Sequence, residues 1–127
     1  MIIDAGLFIA VERGESGAIA FAREAVWRAE PLRTSHAVLG QVWRGGAQQA
    51  NVARLLSSLS LHALDDGRAI GRLLAITGTS DVLDAHLALL AAQTGEHIVS
   101  ADHDDLRPLL IAAGVDPGAL RPWPPQP

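Results

Sequence analysis

The stretch "SADHDD", residues 100 to 105, sets Asp102, Asp104 and Asp105 close together directly after the short run "EHIVS". Like charges this near raise one another's pKa unless a cation or a set of backbone donors answers them. Two further acids occupy comparable places. Asp4 closes the β-branched run "MIID", and Asp84 comes early in "SDVLDAHLALLAAQTG", which is apolar almost all round after its first turn. A charge there is costly unless it faces a cavity or an ion. Asp4, Asp84 and Asp102, far apart in sequence and each at the mouth of an element, make a candidate site for a hard cation. Mg²⁺ or Mn²⁺ suits such oxygen ligands and would both relieve the repulsion and polarise a water or a phosphoryl oxygen. The chemistry implied is hydrolysis of a phosphodiester.

Each acid also has a plainer role open to it. Asp-Ala-Gly around Asp4 is ordinary turn or cap chemistry, and Asp84 fits a solvated first-turn acid favoured by the helix dipole. Asp81 follows Ser80 at a helix start, where capping competes with support of the site. Asp104 is read as the cap of the next helix, and Asp105 as either a cap or an outer ligand. The five His residues show no metal-ligand spacing. His86, off the face of Asp84, is read as a packed or surface histidine. Trp43 is read as core or dimer surface rather than as a platform for bases. An EF-hand reading of "DHDD" fails, because the loop Gly and the closing acid are missing.

Composition narrows the chemistry further. The 127 residues, 49% of them hydrophobic, suit one folded domain spanning 1–127. With no cysteine, thiolate nucleophiles, disulfides and sulfur-ligated zinc are excluded. All ten basic residues are Arg, which removes Lys-dependent chemistry: a P-loop, a Schiff base, a receiver-type phosphorylation site. The net charge of -4 disfavours broad capture of nucleic acid but permits a local Arg-lined groove with a metal at its floor. The start "MIIDAGLFIAVERGE" fits neither a signal peptide nor a membrane span, so a cytoplasmic location and no membrane partner are expected.

The elements that must position these acids alternate in type. "MIID" reads as a strand ending in a loop, and "ESGAIAFAREAVWRAE" as an amphipathic helix with Ile19, Ala22, Val26 and Trp27 on its apolar stripe. "LRTS" is a brief strand, and Thr34 or Ser35 caps the helix "HAVLGQVWRGG", which Gly45-Gly46 ends. "NVARLLSSLS" is a helix, "LHAL" a strand, and "DDGRAIGRLLAITG" a helix closed by Gly78. The apolar helix of Asp84, the strand "EHIVS", the helix "DDLRPLLIAAG" and a weak strand "ALRPW" complete the chain, with residues 122–127 as an exposed Pro-rich tail. Such alternation argues an α/β fold with a parallel sheet covered by helices on both faces. In sheets of this kind ligands bind outside the carboxyl ends of the strands, where Asp4 and Asp102 lie.

In that order and spacing, "MIIDAG", "SHAVLGQVWRGG", "SDVLDAHLALLA" and "HIVSADHDDL" resemble the motifs of PIN-domain ribonucleases, most of all the VapC-like toxins of bacterial toxin-antitoxin pairs. The resemblance runs from residue 1 to about residue 110. It implies a PIN-like three-layer sandwich with a mainly parallel central sheet, Mg²⁺- or Mn²⁺-dependent endoribonuclease activity on RNA, a homodimer, and inhibition by a small cognate antitoxin. Carried over, the ligand acids are Asp4, Asp84 and Asp102. The family's usual acid on the helix after the second strand is here Gln41, which brings no charge and cannot act as a base. Arg44, three residues on and so on the same helical face, would pair with Asp4 or Asp84 or grip the scissile phosphate. Gln41 also motivates an alternative, a PIN-fold RNA- or protein-binding module with weakened catalysis. A receiver-like signalling domain is disfavoured by the absent Lys and the lack of a phosphate-cradling loop.

Overall fold

Four strands in this chain hand over to a helix through a polar residue, and those junctions organise the molecule. In the computed structural model, which describes residues 1–124, β1 (Ile2–Ile3) passes through Asp4 into α1 (Ala5–Glu12), which packs with α2 (Ser16–Trp27). Next, β2 (Leu32–Ser35) runs into α3 (His36–Val42) with Ser35 as the cap, its hydroxyl accepting from the Ala37 N–H. A short 3₁₀ turn and α4 (Ala50–Leu56) lead to β3 (Leu59–His62), after which Asp66 caps α5 (Gly67–Thr77). Asp81 caps α6 (Val82–Thr94), and β4 (Ile98–Ser100) turns through Asp102 into α7 (His103–Ala112) before the last strand, β5 (Leu120–Pro122).

All five strands are parallel, in the order β3-β2-β1-β4-β5. The chain thus moves from β1 outward one way through β2 and β3, then crosses back to build β4 and β5 on the other side. Right-handed crossovers travelling in opposite directions put their helices on opposite faces. One layer is therefore α1 to α4 and the other α5 to α7, each packed within itself, as in the three-layer α/β sandwich expected from the sequence. The reversal between β1 and β4 opens a crevice at their carboxyl ends, the usual ligand position in such folds. The fully buried residues Ile2, Ile3, Phe8, Leu87, Ile98 and Leu106 fill the core around this point. Among the described residues no single helix is long and apolar enough to cross a membrane.

Several elements differ from the sequence reading. Asp-Ala-Gly forms no loop; Asp4 starts α1 directly, because Leu7, Phe8, Ala10 and Val11 gain burial that outweighs the roughly 1 kcal/mol cost of a helical Gly6. The buried face of α2 is Ala18, Ala22 and Ala25, whereas Val26 and Trp27 of the expected stripe stay exposed. Small residues let α2 approach α1 closely and leave the bulky ones outside. The strand β3 begins at Leu59, so the end of the expected helix "NVARLLSSLS" is strand, paired in register from Leu32↔Leu59 to Ser35↔His62. The tail does not start at residue 122: Pro122 pairs with Ser100, and Trp123 is buried against Phe21 with ring centroids 5.0 Å apart. Residues 125–127 of that tail lie outside the described residues.

Candidate metal centre

The register of β1 on β4, Ile3 opposite Val99, sets Asp4 beside Ser100 as the two strands end. Ser100 is buried and acts as a clasp. Its hydroxyl donates to Asp4 Oδ2 at 2.6 Å and accepts from the Asp102 N–H at 2.9 Å. The other oxygen of Asp4 accepts from the Ala5 N–H at 2.7 Å, capping α1. Both carboxylate oxygens of Asp4 are thus hydrogen-bonded, and each retains a lone pair.

Two helix N-termini meet this clasp. Asp81 is the N-cap of α6 and accepts from the Asp84 N–H at 3.1 Å, while Asp102 holds the N-cap position of α7. Three residues on, Asp84 and Asp105 stand in the first turns of the same helices, so "DVLD" and "DHDD" present matching pairs. One carboxylate oxygen from each of Asp84, Asp102 and Asp105 lies within 4.8 Å of the other two. Helix dipoles offset some of this negative charge. Arginine does not: among the described residues the ion pairs are Met1–Glu96, Arg28–Glu24 and Arg33–Glu96.

Asp84 bears the strain of that arrangement. It is 6% exposed, and its Oδ2 is buried with no hydrogen-bond partner. Burial first, then the carboxylates of Asp81, Asp4, Asp102 and Asp105, push its pKa from 3.8 up to about 7. Asp102 is raised as well, by burial and then by the Asp105 charge. A buried carboxyl with an orphaned oxygen, gathered with two other carboxyls, is a fit for a small hard cation, and the all-oxygen donor set suits Mg²⁺ or Mn²⁺ rather than a softer metal.

Against the expected ligands Asp4, Asp84 and Asp102, the structure brings together Asp84, Asp102 and Asp105, with Asp4 tied at their flank. Asp105, read as a cap or outer ligand, is a full member of the trio. Asp81 both caps α6 and adds its charge to Asp84. Asp104 is not the cap of α7; it is an exposed residue of the first turn, since Asp102 already occupies the N-cap position. His86 is packed, as read, with Nδ1 2.6 Å from the Ser35 hydroxyl. Burial, then the nearby His62, lowers its pKa.

Gln41 and Arg44 stand apart from the trio. Gln41 is exposed on α3, and that helix ends at Val42 with Trp43 already extended, so Gln41 and Arg44 do not share a helical face. The Arg44 guanidinium donates to the Trp43 and Gly40 carbonyls at 2.7 and 3.3 Å, closing the end of its own helix, and pairs with neither Asp4 nor Asp84. Two residues went unread in the sequence. Ser100 was legible, as a hydroxyl two places before an acid, the pattern of a side-chain-to-backbone turn. Gln49 carried no such signal. Fully buried, it accepts from the Arg44 and Gly45 N–H groups and donates to the Val42 carbonyl and to Glu12.

Fold and site together define an α/β sandwich with a carboxylate cluster, able to hold a metal ion, at its topological switch point. Comparison with family models, with curated proteins and with solved structures finds no match to this chain.

Proposed function

We propose that this protein is a Mg²⁺- or Mn²⁺-dependent endoribonuclease acting as the toxin of a toxin-antitoxin pair. The observation that carries the nuclease reading is the gathering of Asp84, Asp102 and Asp105 at the switch point, with the Oδ2 of Asp84 buried and unpartnered. RNA as substrate, a homodimer and a small cognate antitoxin rest on the likeness of the four quoted segments to VapC-like PIN domains. In this reading Asp84, Asp102 and Asp105 hold the cation, with Asp4 flanking them. Bound there, a divalent ion supplies charge compensation and Lewis-acid polarisation of a phosphoryl oxygen. Asp81 and Ser100 keep the carboxylates in place through the α6 cap and the clasp between β1 and β4. Single-stranded loops are the expected targets, since A-form duplex grooves are hard for side chains to read.

The test is cleavage of a structured RNA with Mn²⁺ by the wild type and by Asp84→Asn and Asp102→Asn. Metal-dependent cleavage that falls at least a hundredfold in both variants supports the reading. Equal residual activity in all three proteins sinks it. The alternative of a binding module with weakened catalysis draws on α3, whose exposed Gln41 offers no carboxylate to the site. Metal-independent RNA binding without cleavage would favour it.

A further inference from the structure

One cavity of the molecule is lined by none of the acids. It holds about 420 Å³ and lies between two helical stripes, Ile19, Ala22, Arg23, Val26 and Trp27 on α2, and Asn51, Arg54 and Leu55 on α4 with Ser58 just beyond its end, and has Val11 of α1 at its floor. These spacings of three and four residues give each helix one continuous face toward the opening. On α2 that face is the stripe whose periodicity reads as core, yet Val26 is 43% and Trp27 87% exposed. The pattern is that of a face waiting for something apolar.

The rim decides what kind of occupant fits. Arg23 and Arg54 both line the cavity, neither forms an ion pair among the described residues, and no Asp or Glu belongs to the lining. Arg54 has only a 3.4 Å hydrogen bond to Asn51. Arg23 stands one helical turn before Trp27, so a guanidinium and an indole flank the same mouth. An apolar floor with a few convergent polar groups at this volume is the make-up of a small-molecule site. Two uncompensated guanidiniums on a chain of net charge -4 specify an anion.

We propose that this cavity binds a small amphipathic anion, an aromatic or aliphatic body bearing one carboxylate, sulfonate or phosphate. The body lies on Val11, Ile19, Val26 and Leu55 beside the Trp27 ring, and the head group meets Arg23 and Arg54. The site is independent of the acidic cluster and of any nuclease activity.

The test uses two dyes of similar shape, 8-anilinonaphthalene-1-sulfonate, which is an anion, and neutral N-phenyl-1-naphthylamine. The full chain in EDTA is titrated by calorimetry and by dye fluorescence. One anionic dye should bind per chain, about tenfold more tightly than the neutral one. Arg23→Ala with Arg54→Ala should erase that preference without changing neutral-dye binding or the melting temperature, because both side chains are exposed. Trp27→Ala should weaken both dyes. No saturable binding, equal affinity for the two dyes, or anionic binding unaffected by the double Arg variant overturns the proposal. Displacement of the dye only by an acidic helical peptide, and not by decanoate, overturns it too and marks the face as a protein-docking groove.

Discussion

Taking Asp84 out of ionisation should stabilise the metal-free protein at alkaline pH. In the native state its carboxyl sits at about 7 against 3.8 when unperturbed. A folded-state pKa raised in this way gives stability that is fully present below the unfolded value and is lost as pH rises through the folded one. Between pH 5 and pH 7 the unfolded chain is already ionised while native Asp84 still holds its proton. At about 1.4 kcal/mol per pH unit this costs roughly 3 kcal/mol by pH 8, trimmed to about 2 kcal/mol because neighbouring carboxyls share protons with it. For a chain of this size that is on the order of 8 °C in melting temperature.

The measurement is a pair of thermal melting curves in EDTA from pH 5 to pH 8, for the wild type and Asp84→Asn. The wild type should lose stability relative to the variant as pH rises, so that the variant gains about 2 kcal/mol on it across the range. Contributions of His86, His97 and the other acids appear in both proteins and largely cancel in the difference. Saturating Mn²⁺ at pH 8 should then restore the wild type by about 3 kcal/mol at a hundredfold excess over its dissociation constant, and leave the variant where it was. Parallel pH curves for the two proteins would refute the assignment of Asp84 as a carboxyl strained by its neighbours. Equal Mn²⁺ stabilisation of both would refute its role in holding the ion.

Other residues give sharper local tests. Ser100→Ala breaks both halves of the clasp and should cost about 2 kcal/mol and weaken Mn²⁺ binding, whereas Ser100→Thr, which keeps the hydroxyl, should retain binding in the same titration. Gln49→Leu leaves the Arg44 and Gly45 N–H groups and the Val42 carbonyl without their buried partner, an expected loss of about 3 kcal/mol in urea unfolding. Burial alone would raise the Glu96 carboxyl, but hydrogen bonds and charge from the Met1 ammonium and Arg33 outweigh it and hold its pKa below 4.5. Its contribution is therefore present above the usual carboxylate range and lost as pH falls, so Glu96→Gln should lower the melting temperature at pH 7 and erase part of the acid-side decline.

Several helix starts were legible because their chemistry is local: the side chains of Asp4, Ser35, Asp66 and Asp81 each answer a free N–H of the helix that follows, whereas Asp102 holds the N-cap position of α7 without a side-chain cap hydrogen bond. A cap and the residue three places on lie on one side of a helix start, so once Asp102 takes the N-cap position Asp105 must point where Asp102 points, and Asp104 must turn away. Reading Asp104 as the cap shifts the frame by two residues and leaves Asp105 open between a cap and an outer ligand. Asp4 was drawn toward the centre for the opposite reason: its place at the switch point is visible in sequence, but the Ser100 hydrogen bond that engages its Oδ2 depends on the register between β1 and β4, which no single segment encodes. Gln49 and the open stripe of α2 fall in the same class. Whether a polar residue is buried, or an apolar face covered, is settled by which helices come to lie beside it, and small Ala18, Ala22 and Ala25 turned α2 so that Val26 and Trp27 faced outward. The acids stand at helix starts that any one helix can specify; which of them gather follows from two helices and two strands meeting at a single edge.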